Sequence, residues 1–200
     1  VVHAILQDHE GTIWIGTLGN GLYCLKPGRA PRHYEMEAAD KTTLPANAVT
    51  TLFQDSAKRI WVGTEGGGLA LYQPAADNFR RYTIKDGLPS NTIFKMLEDF
   101  NQNLWFTTSR GLVVFNPAKD SLKVYTTDHG LLSNQFNYNS GYRDKQGNLY
   151  FGSAKGLIYF NPQQFSQSTF AAPLHITGFS MAGKAIVPGG TDGILSKSLQ

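Results

Sequence analysis

The sequence has few of the features that would indicate a disulfide framework, a nucleic-acid-binding surface or a membrane segment. It holds one cysteine, Cys24, in 200 residues, so an intrachain disulfide is excluded, and its apolar neighbours predict a buried side chain. Charged residues are only 16 % of the sequence and the net charge is +3, with Arg80 and Arg81 as the densest basic spot, which argues against nucleic-acid binding. No signal peptide or membrane-length apolar run is present. Because the sequence begins within a strand pattern, we expect a piece of a longer protein.

Patterns that would indicate catalysis or a metal are also missing. The five histidines lack metal-ligand spacing and are scattered at His3, His9, His33, His129 and His175. The glycine run at 66–68 is not followed by Lys-Ser or Lys-Thr, so it predicts a turn and not a phosphate loop. The sequence therefore predicts no catalytic residue, no metal and no cofactor.

One motif, in contrast, occurs four times. An aspartate is followed six residues later by an aromatic residue within an apolar run, in the segments 8–17, 55–64, 99–108 and 144–153. The aromatic residues are 47, 44 and 45 residues apart, at Trp14, Trp61, Trp105 and Tyr150. A period of that length with strand-like content is typical of a propeller blade, so the repeat predicts an all-β propeller. Because every copy has its own carboxylate, we interpret these aspartates as turn-stabilising residues and not as catalytic ones: Asp8, Asp55, Asp99 and Asp144.

The second copy predicts the strands of a blade from the inside to the outside, at 48–55, 60–64, 69–72 and 79–83. A Gly-Leu pair begins the third strand in every copy and a proline follows its end. The predicted blades are residues 1–39, 40–85, 86–128 and 129–162. No outer strand is evident after Pro162; we expect a linker at 163–172 and the first strands of a β-sandwich at 173–200. Four blades would leave an apolar face at each end, which predicts a homodimer or other self-association.

The repeat carries a family resemblance. The aspartate-to-aromatic motif, the Gly-Thr at 63–64, the later Gly-Leu pair and the Gly-Leu-Pro-x-Asn link at 87–91 resemble the two-component regulator propeller repeat. The tail from Pro173 resembles the start of the triple-tyrosine β-sandwich that follows such propellers. The resemblance implies four consecutive four-stranded blades of a seven-bladed ring, on the periplasmic side of a bacterial inner membrane, in a receptor with a cytoplasmic kinase or diguanylate cyclase. The departures are Tyr150 in place of Trp and Thr107 in place of Gly.

Ligand contacts on such a scaffold are expected where the loops differ between repeats. The links between blades and the loops after second strands share one face of a propeller, and their variable polar residues are candidates: Asn47, Glu65, Asn91, Arg110, Asn134 and Lys155. Asn137 and Tyr138 join them, because the last inner strand is rich in amides and aromatic rings, which suit polar ligands. Two alternatives stay open: the link asparagines could cap the backbone, and the charged side chains could be ordinary surface.

These observations favour a non-catalytic sensor propeller of a membrane-bound signalling receptor, with its output domain outside this chain. The alternatives are a propeller enzyme of the lyase or lactonase type and a protein-interaction scaffold. The expected partners are a small polar ligand, of which a carbohydrate is one candidate, and a second copy of the chain. No nucleic acid is expected, and contact with a membrane would run only through segments outside this chain.

Overall fold

The computed structural model describes residues 1–164, 179–181 and 184–186. The chain divides into two units, Val1–Gln164 and Phe165–Gln200. The second unit contributes one described hairpin, formed by two antiparallel strands at Phe179–Met181 and Lys184–Ile186. Most of the expected linker at 163–172 and of the expected sandwich at 173–200 lies outside the described residues. Residues 163 and 164 belong to a 3-10 turn, Pro162–Gln164, that ends the first unit.

Four antiparallel sheets follow one another along the first unit, so the predicted all-β propeller fold is confirmed. Blade 1 contains β1 (Val2–Gln7), β2 (Ile13–Thr17), β3 (Leu22–Leu25) and β4 (Arg32–Tyr34). Blade 2 contains β5 (Val49–Gln54), β6 (Ile60–Thr64), β7 (Leu69–Gln73) and β8 (Asn78–Tyr82). Blade 3 contains β9 (Ile93–Glu98), β10 (Leu104–Thr108), β11 (Gly111–Asn116) and β12 (Ser121–Tyr125).

Blade 4 has three strands among the described residues, β13 (Phe136–Arg143), β14 (Leu149–Ser153) and β15 (Gly156–Phe160). Between the end of β15 and residue 164 no fourth strand joins this sheet. Two further 3-10 turns, Ile84–Asp86 and Thr127–His129, lie in the links before blades 3 and 4. No helix in the described part of the chain is long and apolar enough to cross a membrane.

Apolar side chains on both faces of the middle blades build one core at each junction. Trp14 and Val62 are buried between blades 1 and 2, Trp61 and Phe106 between blades 2 and 3, and Trp105 with Phe151 between blades 3 and 4. This packing explains why second strands are apolar at successive positions instead of alternating. The outward faces of the two end blades stay open and apolar, with exposed Ile5 on one and exposed Leu157 and Tyr159 on the other.

The repeated aspartate joins its turn to the aromatic residue six positions later. In blade 3, one Asp99 oxygen accepts the backbone N–H groups of Asn101 and Asn103, and the other accepts Trp105 Nε1–H at 2.8 Å. The same indole bond recurs at 2.9 Å in blade 1 and 2.8 Å in blade 2. In blade 4 the Tyr150 hydroxyl replaces the indole and donates to Asp144 at 3.0 Å. The spacing of six residues therefore lets the aspartate at the start of the turn reach the aromatic side chain on the strand that follows the turn.

The glycine of the motif allows the inner strand of the next blade to come close. A Cβ on Gly63 would lie 2.5 Å from Thr51 Cγ2 and 3.0 Å from Ile93 Cγ2, so only glycine fits between these strands. Blade 3 departs from the rule, because Thr107 occupies this position fully buried, and its hydroxyl has no hydrogen-bond partner among the described residues. Buried unsatisfied hydroxyls are uncommon and costly.

Candidate functional site

Each inner strand carries a bulge near its start. The register slips between Val2 and Ala4 in β1 and between Val49 and Thr51 in β5, which leaves one extra residue, His3 or Thr50, facing no partner. The slip in β9 leaves Phe94 in the same position. Bulges bend a strand and redirect side chains. Here they turn one side chain per blade towards the place where the inner strands meet.

Blade 4 has a longer bulge than the others. Its register runs from Phe136 opposite Ser153 to Gly141 opposite Phe151, so residues 137–140 together face Gly152. Asn139 adopts a left-handed conformation with φ of 51°, which asparagine tolerates better than most residues. Gly152 makes the bulge possible, since a Cβ there would lie 2.0 Å from Ser140 Oγ. The bulge thus has two more residues than those of the other blades, and Tyr138, which lies on it, reaches side chains of blades 1 to 3.

Tyr138 brings together side chains from all four blades. Its hydroxyl donates to Glu65 Oε2 of blade 2 at 3.1 Å, and its ring packs edge-on against Phe94 of blade 3, with centroids 4.5 Å apart. The His3 ring of blade 1 meets it at 5.5 Å, also edge-on. We call these four residues, His3, Glu65, Phe94 and Tyr138, the axial cluster. It lies on the face formed by the loops after the second strands, because Glu65 directly follows β6.

The chemistry of the axial cluster is polar and open to solvent. The Tyr138 side chain is 43 % exposed and Glu65 is exposed, whereas Phe94 is buried. Partial burial raises the pKa of Tyr138, and the hydrogen bond to Glu65 and the charge of that carboxylate raise it further, so the hydroxyl remains a donor at neutral pH. His3 Nδ1 lies 3.0 Å from the carbonyl oxygen of Thr50, which can only accept, so Nδ1 carries a proton; in the neutral ring Nε2 is then an acceptor. The cluster offers two acceptors, one hydroxyl and aromatic edges.

The predicted site residues fall into three groups. Glu65 and Tyr138 are brought together in the axial cluster, and Asn137 lies beside them, with Nδ2 donating to the Ser153 carbonyl at 3.4 Å. Each link asparagine closes its own link: the Oδ1 atoms of Asn47, Asn91 and Asn134 accept backbone N–H groups of Met36, Ile84 and Thr127 at 2.7, 2.9 and 2.7 Å. The backbone-capping alternative therefore accounts for these three side chains.

Arg110 and Lys155 are exposed, and no hydrogen bond or ion pair in the described part of the chain joins their side chains to the axial cluster. The reason is a difference of one position. Glu65 follows its motif threonine directly, and its N–H donates to the carbonyl of Ala48, just before the inner strand of its own blade, as the N–H of Ala154 does to that of Gln135. Arg110 and Lys155 stand one residue later, and their N–H groups turn back to the Thr108 and Ser153 hydroxyls.

Sequence reasoning missed His3 and Phe94 as members of the site. His3 was judged only by its spacing from other histidines, and Phe94 reads as an ordinary core residue. The available signal was their alignment: both are the second residue of an inner strand, the position that the bulge leaves without a partner on the second strand. Among the described residues, no group of three His, Cys, Asp or Glu side chains is arranged to hold a metal ion.

Comparison with known proteins agrees with the repeat. The profile of the family described as "Two component regulator propeller" matches residues 1–19, 43–66 and 87–110, which confirms the resemblance drawn from the motif. These segments cover the inner strand, the aspartate turn and the second strand of blades 1 to 3. No curated protein matches the chain.

Solved structures extend the comparison to the whole repeat region. The extracellular domain of a hybrid two component system from B. thetaiotaomicron is 27 % identical, with a TM-score of 0.75, over 94 % of this chain and 26 % of that domain. This chain therefore spans about a quarter of that relative. Virginiamycin B lyase from Staphylococcus aureus (17 % identical, TM-score 0.58, 80 % of this chain and 55 % of the lyase) shares the fold. So does YCF48 from Cyanidioschyzon merolae (15 %, TM-score 0.56, 81 % of this chain and 51 % of YCF48).

Proposed function

We propose that this chain is part of the extracytoplasmic, non-catalytic sensor region of a bacterial two-component receptor, and that it binds a small polar ligand at the axial cluster. The sensor role is supported by the matching propeller repeats and by the likeness to the extracellular domain of a hybrid two component system. We place it on the periplasmic side of the inner membrane, with the output domain outside these residues.

Ligand binding rests on one observation, the convergence of four blades on the Tyr138 hydroxyl and ring. A bulge with a left-handed Asn139 is a departure from regular pairing, and such departures concentrate at functional sites. The acceptors of Glu65 and His3 and the edge of Tyr138 suit a neutral, hydroxyl-rich or amide-bearing compound, which makes a small saccharide the first candidate. Binding there would bridge blades 1, 2 and 4 and so alter how firmly the blades are held together, which is a route for a signal.

The test is a thermal-shift titration of the full chain with maltose, cellobiose, lactose and L-glutamine. Binding to the folded state raises the melting temperature with concentration. We expect at least one compound to do so, and we expect Tyr138→Ala and Glu65→Gln to remove the effect. Tyr142→Ala, an exposed tyrosine on the same strand, and Glu37→Gln, an exposed carboxylate in a loop, are the matched controls.

Absence of a shift with every compound, or a shift that persists in Tyr138→Ala, would contradict the proposal and favour a propeller that binds a protein partner. Conversion of a compound during the titration, followed by NMR of the small molecule, would instead identify an enzyme, as the fold shared with a lyase allows.

A further inference from the structure

A second concave site lies far from the axial cluster, on the opposite face of the propeller. The aspartate turns and the loops between third and fourth strands of blades 1 and 2 enclose a cavity of about 590 Å³. This size is within the range of small-molecule sites. We call it the inter-blade groove. Its apolar wall is formed by Trp14, Ala30 and Ala75, and its inner end is closed by a pair of hydrogen bonds between His9 and Gln54, each 2.9 Å.

The groove is open because blade 1 differs from the repeat at this junction. The loop between its third and fourth strands has six residues, 26–31, whereas the corresponding loops of blades 2 and 3 have four, 74–77 and 117–120. At the junction of blades 2 and 3 the equivalent of Tyr72 is Phe115, which is 2 % exposed and packs against Trp61 and Tyr82. Tyr72 is only half-buried and lines the cavity. The position that is fully buried at the junction of blades 2 and 3 therefore lines a cavity at the junction of blades 1 and 2.

Two tyrosines and an aspartate of the groove lining join blades 1 and 2 through hydrogen bonds. Asp77 Oδ1 accepts the hydroxyls of Tyr34 from blade 1 and Tyr72 from blade 2, each at 2.7 Å, and Arg32 pairs with its other oxygen. Burial raises the pKa of Asp77, but the two tyrosine bonds and the Arg32 charge outweigh it, and the pKa lies below its ordinary value. Burial, followed by the bonds to Tyr34 and Asp77, raises the pKa of Tyr72. Asp77 therefore stays ionised and is fully engaged by these partners.

The charge that remains for a ligand is positive. Five cationic side chains line the groove: Lys26, Arg29, Arg32, Lys58 and Arg59. Three of them have carboxylate partners, Lys26 with Glu10, Arg32 with Asp77 and Arg59 with Asp55. Of the three carboxylates that line the groove, Glu10 and Asp77 are in these pairs, and Asp8 is engaged by its own turn and by Trp14. Arg29 and Lys58 have no ion pair within the described residues, and both line the groove, Arg29 from the loop between β3 and β4 of blade 1 and Lys58 from the turn between β5 and β6 of blade 2.

We propose that the inter-blade groove binds a small organic carboxylate with a ring-sized body, whose acid group is held between Arg29 and Lys58 and whose apolar face lies on the Trp14 wall. A guanidinium can bind a carboxylate through two parallel hydrogen bonds, and an ammonium adds a second charge. This site is independent of the axial cluster, so the chain would have one face for a neutral polar ligand and another for an anion.

The three tryptophans provide the assay. Each indole N–H is bonded to its own aspartate, but only Trp14 lines the groove, so Trp61 and Trp105 are internal references. In a ¹H–¹⁵N correlation spectrum of the full chain, titration with D-glucuronate should move the Trp14 indole signal saturably and leave the other two in place. D-glucose, which lacks the acid group, should move none of them.

Charge removal completes the test. Arg29→Gln combined with Lys58→Gly should weaken the glucuronate response about tenfold or more, because both ion pairs are lost. Glycine suits position 58, where φ is 67° and where blades 1 and 4 have glycine, so the variant is expected to fold, and unchanged Trp61 and Trp105 signals would verify it. Lys85→Gln with Lys119→Gln, a matched loss of two exposed charges elsewhere, and Glu65→Gln at the axial cluster should both respond like the unmodified chain. The proposal is overturned if Trp14 does not move, if all three signals move together, if glucose acts equally, or if the double variant binds unchanged.

Discussion

Asp99→Asn is the sharpest test of the bond that joins each aspartate turn to its tryptophan. Asp99 is 5 % exposed, and its second oxygen accepts both Trp105 Nε1–H at 2.8 Å and Asn103 Nδ2 at 3.0 Å. Asparagine has nearly the same shape and keeps the oxygen that accepts the turn N–H groups. It replaces the second oxygen with an NH2 group, so that donors face donors.

The cost follows from the partners. Trp105 Nε1–H can only donate, and at 3 % exposure it has no access to water as a replacement acceptor. Loss of a charge-assisted bond and burial of an unsatisfied donor together predict a loss of about 2–4 kcal/mol in the free energy of unfolding. In blade 4 the partner is the Tyr150 hydroxyl, which can rotate and accept from the new NH2 group. Asp144→Asn should therefore cost clearly less.

Urea unfolding followed by tryptophan fluorescence measures both variants, and equal slopes allow their midpoints to be compared. Asp99→Asn should have the lower midpoint by a wide margin. If Asp144→Asn is equally or more destabilising, the six-residue spacing does not serve the indole bond, and the shape of the turn, which recurs in every blade, would alone account for the repeat. Trp105→Phe in the Asp99→Asn background gives a second reading, since the unsatisfied donor is then absent and part of the loss should be recovered.

Three further predictions concern other parts of the first unit. Thr107→Val should raise the free energy of unfolding by about 1 kcal/mol in the same urea experiment, because it removes a buried hydroxyl without a partner in the described residues; destabilisation would mean that the hydroxyl is satisfied. Because the folded pKa of Asp77 is lowered, its bonds stabilise the fold above about pH 4 and lose this effect as the pH falls through the folded pKa; melting curves between pH 2 and 6 should show a loss that Asp77→Asn flattens. The open apolar faces should make the chain self-associate, so light scattering should give a mass that rises with concentration and falls towards the monomer value in Ile5→Lys with Leu157→Lys; a monomer at all concentrations would refute this.

Much of the fold could be predicted because the same pattern of strands and turns occurs four times in the sequence. The second strand was predicted at 60–64 and lies at Ile60–Thr64, and the bounds of the other three strands of blade 2 differ from prediction by one residue at one or both ends. The repeat period and the turn residues are local features of the sequence, and they can be recognised because all four copies share them. The role of the aspartate in its turn was also predicted, but the indole bond was not, since it depends on how the second strand places Trp105 over the turn.

The candidate site was harder to predict, because it consists of departures from the repeat. Glu65 and Tyr138 were chosen for their polar character, yet nothing in their sequence positions, 73 residues apart, indicates that they meet. Their contact needs the longer bulge of β13, and a bulge is a property of strand pairing. The inter-blade groove was not predicted at all, since Tyr72 and Phe115 look like equivalent apolar positions in the sequence.

Repetition gives a physical reason to look for function at such departures. A residue that recurs in every blade is accounted for by the blade itself, as the aspartate bonds and the threonine-to-glycine bonds at Thr17, Thr64 and Thr108 are. At two places the chain gives up packing that its own repeats achieve elsewhere: Tyr138 stands on a bulge with a left-handed asparagine, and Tyr72 lines a cavity where Phe115 is core. Strained backbone costs on the order of 1–3 kcal/mol and an open cavity loses contacts as well, so both features are a burden to a protein that needs only to fold. The Tyr138 bulge lies in the axial cluster, and the cavity lined by Tyr72 lies between blades on the opposite face. At both places a bound molecule could restore the lost contacts and draw blades together. A ligand that does so changes the stability of the junctions it bridges, and this is the quantity that a sensor built from stacked blades can transmit.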